Sequence, residues 1–225
     1  MQHSILCFLI GICFSLVAWA APHAPEVSEA LGLPQKNRYK ILKQQGLSEL
    51  SEVARDEDQS LQIRWRAVTA MGALFGKRAI KELEGFAKSP LWFLRNAAII
   101  SMVHTDRRTA LHWSEKLLDD PALMVRTSAV QTIKRLKGHE LQNLLWKKIY
   151  SPINFHRGQS LWVRKHIAEF LADYAYLGQE DKFLKLLLDP DVSLHPAAMR
   201  GLKKITGLKL TNRDEWLQRF AKTTN

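Results

Sequence analysis

The sequence predicts an all-α chain, a right-handed α-solenoid of about five helix–turn–helix repeats with terminal capping helices. Three observations carry that expectation. One pattern recurs around Arg64, Arg95, Arg126, Arg164 and His195, at spacings of 31, 31, 38 and 31 residues. A fixed period of this size marks a stacked array in which each unit covers the apolar face of the next. Around each of those positions the apolar residues fall on one side of a helix. Strand signals are missing: there is no sustained two-residue alternation and no Asn-Gly or Asp-Gly turn.

Taken in chain order, the first 20 residues carry no Lys, Arg, Asp or Glu and run apolar from Ile5 to Ala20. Ala18-Trp19-Ala20 fits an A-x-A cleavage site, which predicts a signal peptide over 1–20, a mature N-terminus at Ala21 and a periplasmic or secreted protein. Only the amino terminus and His3 supply positive charge ahead of the apolar run, so a retained membrane anchor stays open. A lipoprotein is disfavoured, because Ile12 before Cys13 is larger than the usual small residue. Cys7 and Cys13 both fall in this segment. The mature chain would then have no disulfide, no thiol nucleophile and no sulfur ligand for a metal. Residues 21–34, with Pro22, Pro25 and Pro34, read as a short flexible lead-in. No later segment resembles a transmembrane helix. Residues 35–225 read as one domain: a helix near 35–45, the array over about 47–206, and a C-terminal cap over about 207–225 with a helix near 212–222.

Each unit opens with a shorter helix, expected at 47–55, 78–88, 108–118, 140–149 and 180–188. The second helix carries the recurring residue, which serves as position zero. One before it stand Ile63, Leu94, Val125, Val163 and Leu194. Three after stand Ala67, Ala98, Ala129, Ile167 and Ala198, mostly small residues that let a neighbouring helix come close. Four and seven after are again apolar, from Val68 and Met71 to Met199 and Leu202. Three before, Trp92 and its equivalents complete the stripe and predict core. Six before stand Asp58, Ser89, Asp120, Gly158 and Asp189, each an acceptable helix N-cap. Pro90, Pro121 and Pro190 follow, as suits a first helical position. The 38-residue spacing comes from "SPINFHRGQS" (151–160), an insertion that places Phe155, His156 and Arg157 between chain breakers. Such insertions map to loops on one face, where they bind partners or are simply tolerated.

The run Asp-Pro-x-x-x-Val-Arg-x-x-Ala, at Asp120, Pro121, Val125, Arg126 and Ala129, resembles the second helix of a HEAT repeat, and more closely the short bacterial HEAT-like (PBS-lyase-type) repeat. The resemblance covers about 47–206. The tail "KKITGLKLTNRDEWLQRF" (203–220) is similar to the ending of such arrays. The chain departs from the pattern at His195, in place of Arg, and at the insertion. The resemblance implies that Arg64, Arg95, Arg126 and Arg164 form a structural ladder with acidic or carbonyl groups of adjacent loops, Asp58, Asp120 and Asp189 being near enough to serve. A row of anion-binding guanidiniums is the alternative. It also implies that first helices lie on the convex side and second helices line the concave side. Off-core positions of the second helices then give Trp65, Gln131, Lys134, Arg135, Lys165, Arg200, Lys203 and Lys204 as partner-binding candidates. Lys116, Lys147 and Lys185 would form a competing column on the convex side.

The net charge is +11 and all of it lies beyond residue 20, spread along the chain without a polybasic tail. That balance favours anionic partners: an acidic protein, lipid head groups, glycan or nucleic acid. No nucleophile elbow, Walker loop, dinucleotide fingerprint or His-Glu-x-x-His motif is present. His166 with Glu169, and His139 with Glu140, are isolated pairs, whereas a metal site needs three or four ligands. Trp113 and Trp146 read as packing between repeats, and Trp65 as the tryptophan most open to a stacking partner. Expected is an exported, non-enzymatic solenoid without cofactor or metal, a protein–protein interaction scaffold or adaptor of the bacterial envelope with an acidic protein partner. A binder of anionic envelope surfaces is the alternative. An enzyme or nucleic-acid binder is less favoured, the latter because export argues against it.

Overall fold

The computed structural model describes residues 23–221. The signal peptide and cleavage site expected from the sequence, and both cysteines, lie outside the described residues. Helices α1 (His23–Gly32) and α2 (Gln35–Leu42) precede five helix pairs. The pairs are α3 (Leu47–Arg55) with α4 (Leu61–Phe75), α5 (Ile80–Phe86) with α6 (Trp92–Met102), α7 (Arg107–Leu117) with α8 (Leu123–Arg135), α9 (Gln142–Lys148) with α10 (Val163–Asp173), and α11 (Glu180–Leu187) with α12 (His195–Thr206). Helix α13 (Arg213–Ala221) packs on α12. The described chain is an all-α solenoid, and among the described residues no helix is long and apolar enough to cross a membrane.

Two layers result. Each first helix packs on the second helix of its own pair, and consecutive second helices pack on one another from α4 through α12. Consecutive first helices touch only sparsely. A stack whose helices crowd in one layer and spread in the other is curved, with the crowded layer inside. Alanines make the crowding possible: Ala67, Ala98, Ala129 and Ala198 are fully buried. So are Val68, Ile99, Val130 and Ala168 at the next position, and Met71, Met102, Ile133, Leu171 and Leu202 three beyond. At one step the backbones nearly meet. The Gly72 N–H donates to Ser101 Oγ at 2.9 Å, and a Cβ at Gly72 would lie 2.2 Å from the Ser101 carbonyl oxygen.

Four expectations need correction. The residues at minus six do not cap the second helices. Asp120, Ser89 and Asp189 instead accept from the N–H two residues on, at 2.8, 3.2 and 2.9 Å, in side-chain turns that hold the chain out of helix. Asp58 accepts nothing of the kind, and Ser60 caps α4, taking the Ile63 N–H. Pro90, Pro121 and Pro190 therefore stand in turns, where a fixed φ suits the second position. The helices start later, at minus three in α4, α6 and α8. Three of the five minus-three residues consequently lie at the array's rim: Leu61, Trp92 and Val192 are 61%, 50% and 72% exposed, so Trp92 is not core, whereas Leu123 and Leu161 still pack against it.

The lead-in is the third correction. Residues 23–32 form α1, with Val27, Ala30 and Leu31 buried against α3 and α4. Pro25 is harmless in a first turn, where its missing N–H has no partner to lose. The last correction concerns strands. The insertion makes a two-residue hairpin, β1 (Phe155–His156) against β2 (Gln159–Ser160). Its turn uses positive φ at Arg157 (50°) and Gly158 (78°), the geometry that matches strand twist.

Candidate functional site

The arginines at position zero sit beside the loops that join the two helices of a pair, with Arg64, Arg126 and Arg164 buried and Arg95 half-buried. Arg95 donates to both Asp120 carboxylate oxygens at 2.6 and 2.8 Å, and to the Ser89 and Pro90 carbonyls of its own loop. Arg164 repeats the arrangement with Asp189, its closer bond at 2.5 Å, and adds Ile149 O and Ser160 Oγ. Arg126, 2% exposed, donates to the Asp120 and Pro121 carbonyls at 2.7 and 3.0 Å. Ahead of it the insertion supplies no acid. Buried Asn154 accepts instead, its Oδ1 2.9 Å from Arg126 Nε, and Ile153 O takes a further N–H at 2.8 Å. Arg64 has a serine loop ahead of it. It bonds back to Ala54 O at 3.0 Å and lies 5.5 Å over the Phe93 ring.

Arg95, Arg126 and Arg164 thus each tie one loop to the next, with the acid of the next loop as partner where there is one. Ionic hydrogen bonding to Asp120 raises the Arg95 pKa. Burial lowers that of Arg126, which has no carboxylate in direct contact; the more distant charges of Asp120 and Asp119 oppose the shift. Asp58, which would face an arginine of a preceding unit, is exposed. His195 keeps only the backward bond, to Asp189 O at 2.9 Å.

On the inner wall Gln131, Lys134, Arg135, Lys165, Arg200, Lys203 and Lys204 are exposed. Trp65 is half-buried, because its indole N–H donates to Asn96 Oδ1 at 3.1 Å and fixes the ring between α4 and α6. The wall is less basic than the sequence suggests. Helix α10 offers Glu169 and Asp173 to its neighbours, Lys134 at 3.5 and 3.9 Å and Arg200 3.4 Å from Asp173, while Lys204 donates to Asp173 O. Glu169 and Asp173 occupy the same off-core positions, five and nine after zero, that nominated the basic residues. Reading those positions for both signs would have found them. Among the described residues Arg135, Lys165 and Lys203 form no ion pair.

The outer face has a different chemistry. Lys88 and Lys116 lie over the Trp113 ring at 5.7 and 5.1 Å, Lys182 over Trp146 at 5.6 Å, and Lys185 over Tyr150 at 4.5 Å. Trp113 and Trp146 are buried between repeats. In the insertion, Phe155 lies under the Arg164 guanidinium at 4.4 Å, whereas His156 and Arg157 are exposed at the hairpin tip. His166 meets Glu169 at 3.7 Å, and Glu140 is taken by Arg107 at 2.6 Å. Among the described residues no group of three or more His, Cys, Asp or Glu is placed to hold a metal.

No protein-family model matches the chain, and no curated protein matches it. Among solved structures it is similar to an engineered protein, at 16% identity over 82% of this chain and 89% of that one, with a TM-score of 0.48. It is also similar to a designed armadillo repeat protein, at 17% identity over 80% and 98%, with a TM-score of 0.41. The helix pairs themselves define the solenoid.

Proposed function

We propose that this chain is an exported, HEAT-like, non-enzymatic scaffold whose inner wall engages an acidic region of a protein partner. The observation that carries the reading is the unbroken inner layer: second helices of successive pairs set exposed side chains in one concave surface, the usual recognition face of a solenoid. Two helices per unit, rather than three, support a HEAT-like over an armadillo-like assignment. Arg135 on α8, Lys165 on α10 and Lys203 on α12 leave positive charge without an ion-pair partner among the described residues on the second helices of three successive pairs. A photo-crosslinking residue placed in cells at Gln131, Lys165 or Lys203 is expected to capture one common protein, and at Lys116, Lys147 or Lys185 none. Capture from the outer positions alone would reverse the assignment of the face.

One observation favours a second reading, binding to an anionic envelope surface. On the outer face Lys88, Lys116, Lys182 and Lys185 sit over aromatic rings and have no carboxylate partner among the described residues, whereas Lys148 beside them is taken by Asp119 at 2.5 Å. Co-sedimentation with anionic vesicles, abolished by Lys116→Glu, Lys147→Glu and Lys185→Glu together and not by changes to the inner wall, would select it. Export rests on the charge-free apolar start and the Ala18-Trp19-Ala20 site. N-terminal sequencing of the native protein is expected to begin at Ala21; an intact Met1 would refute cleavage.

A further inference from the structure

At the N-terminal end of the inner wall, between α2, α4 and α6, lies a cavity of about 310 Å³. Two guanidiniums, Arg38 and Arg66, open onto it, and no carboxylate lines it. Both are held by the end of α1. Arg38 donates Nε and Nη2 to Leu33 O at 3.3 and 3.1 Å, and Arg66 donates Nη1 to Leu31 O at 2.9 Å and Gly32 O at 3.3 Å. That leaves Arg38 Nη1 and Arg66 Nε and Nη2 without a partner among the described residues. Burial, and after it the positive charge of Arg66, hold the Arg38 guanidinium below its usual range. Folding thus brings like charges together and satisfies them only with carbonyl dipoles. Such a pair is relieved by a bound anion, and guanidinium forks suit carboxylate or phosphate oxygens.

The remaining walls are flat or apolar but for the hydroxyls of Thr69 and Ser101, which bond to the Arg66 and Thr69 carbonyls. Tyr39, Trp65 and Ile100 line the cavity, and Asn96 fixes the indole. His104 stands at the edge, its imidazole held below its usual pKa by burial and by Arg135. The volume lies at the small end of the range for small-molecule sites, about 300–1,000 Å³. We propose that this cavity binds a small organic acid, one carboxylate or phosphate on a flat unsaturated body, with the acid group between Arg38 and Arg66 and the body against Tyr39 and Trp65. The site is independent of the scaffold reading and stands or falls without it.

Titration calorimetry on the whole chain tests it, with phenyl phosphate and benzoate as probes and inorganic phosphate and benzyl alcohol as controls. Expected is one bound phenyl phosphate or benzoate per chain, at least tenfold weaker binding of inorganic phosphate, and none of benzyl alcohol. Arg66→Gln and Arg38→Gln are each expected to weaken the acid probes at least tenfold. Because both arginines also hold α1, Ile100→Trp provides a variant that fills the cavity and keeps the charges. It is expected to lose binding with helicity unchanged. Failure of both acid probes to bind overturns the proposal. So does equal binding of phenyl phosphate and inorganic phosphate, or full binding by Ile100→Trp.

Discussion

Arg126→Ala is expected to destabilise the array by about 3–5 kcal/mol, because it strips the charged donor from four acceptors at once, two buried and two half-buried. The Asp120, Pro121 and Ile153 carbonyls and the Asn154 side-chain oxygen all lose a charged N–H. The Asp120 carboxylate keeps Arg95, so the damage is confined to the step between the third and fourth pairs. For a chain of this size that loss corresponds to a fall in Tm of roughly 6–20 °C. A repeat array unfolds through nearest-neighbour couplings. Scanning calorimetry is therefore expected to show the single transition broadening or splitting as the α9–α12 half separates. Lys165→Ala, an exposed helical change, is expected to stay within about 0.5 kcal/mol of the parent. An unchanged Tm in Arg126→Ala would mean the guanidinium is not a structural tie.

Gly72→Val is the second large effect. Its Cβ would stand 2.2 Å from the Ser101 carbonyl oxygen and 2.5 Å from the hydroxyl. The first of these is backbone and cannot rotate away, so α4 and α6 must part. Overpacking of this kind costs about 1–3 kcal/mol and sometimes more, and forcing the layer apart also weakens the Gly72–Ser101 hydrogen bond. Better helix propensity returns only a few tenths of a kcal/mol. The expected net loss is about 3 kcal/mol. Gly85→Ala is the matched control. A Cβ there meets nothing within 4 Å, so propensity alone acts, and a gain of up to about 1 kcal/mol is expected. Denaturant melts of both decide between a packed helix step and a loose one.

The columns after position zero were legible because helical periodicity alone sets them. Ala67 and its equivalents face inward wherever the helix begins. The minus-three column was not legible, because it depends on where the helix begins. That point is set by a side-chain turn at Asp120 or Asp189 whose geometry composition does not reveal. Helix α1 was hidden by Pro25 and the prolines that flank it in sequence: Val27, Ala30 and Leu31 span too few turns to stand out without the neighbours that bury them. The hairpin was hidden in the same way, since Arg157-Gly158 is not among the common dipeptides of such turns. At the candidate sites, the residues of the inner wall follow from periodicity, whereas their neutralisation by Glu169 and Asp173 is a contact between neighbouring helices whose paired residues stand 27 or more positions apart in sequence. The Arg38–Arg66 cavity joins α2 to α4, and no spacing rule connects them.

The crowded inner layer and the sparse outer one give the stack a mechanical bias. In any bent stack one line neither stretches nor shortens, and here it runs close to the second helices, where Gly72 meets Ser101 and the alanine columns interlock. Straightening about that line shortens the outer face and presses neighbouring first helices onto Trp113 and Trp146, which are buried between them, so it is stiff. Further curling only spreads first helices that share few contacts, so it is soft. A load that pushes the two ends together should therefore open the outer face first, drawing Trp113, Trp146 and their overlying lysines away from one another while the inner wall keeps its pitch. The array would behave as a leaf spring, compliant in one direction only.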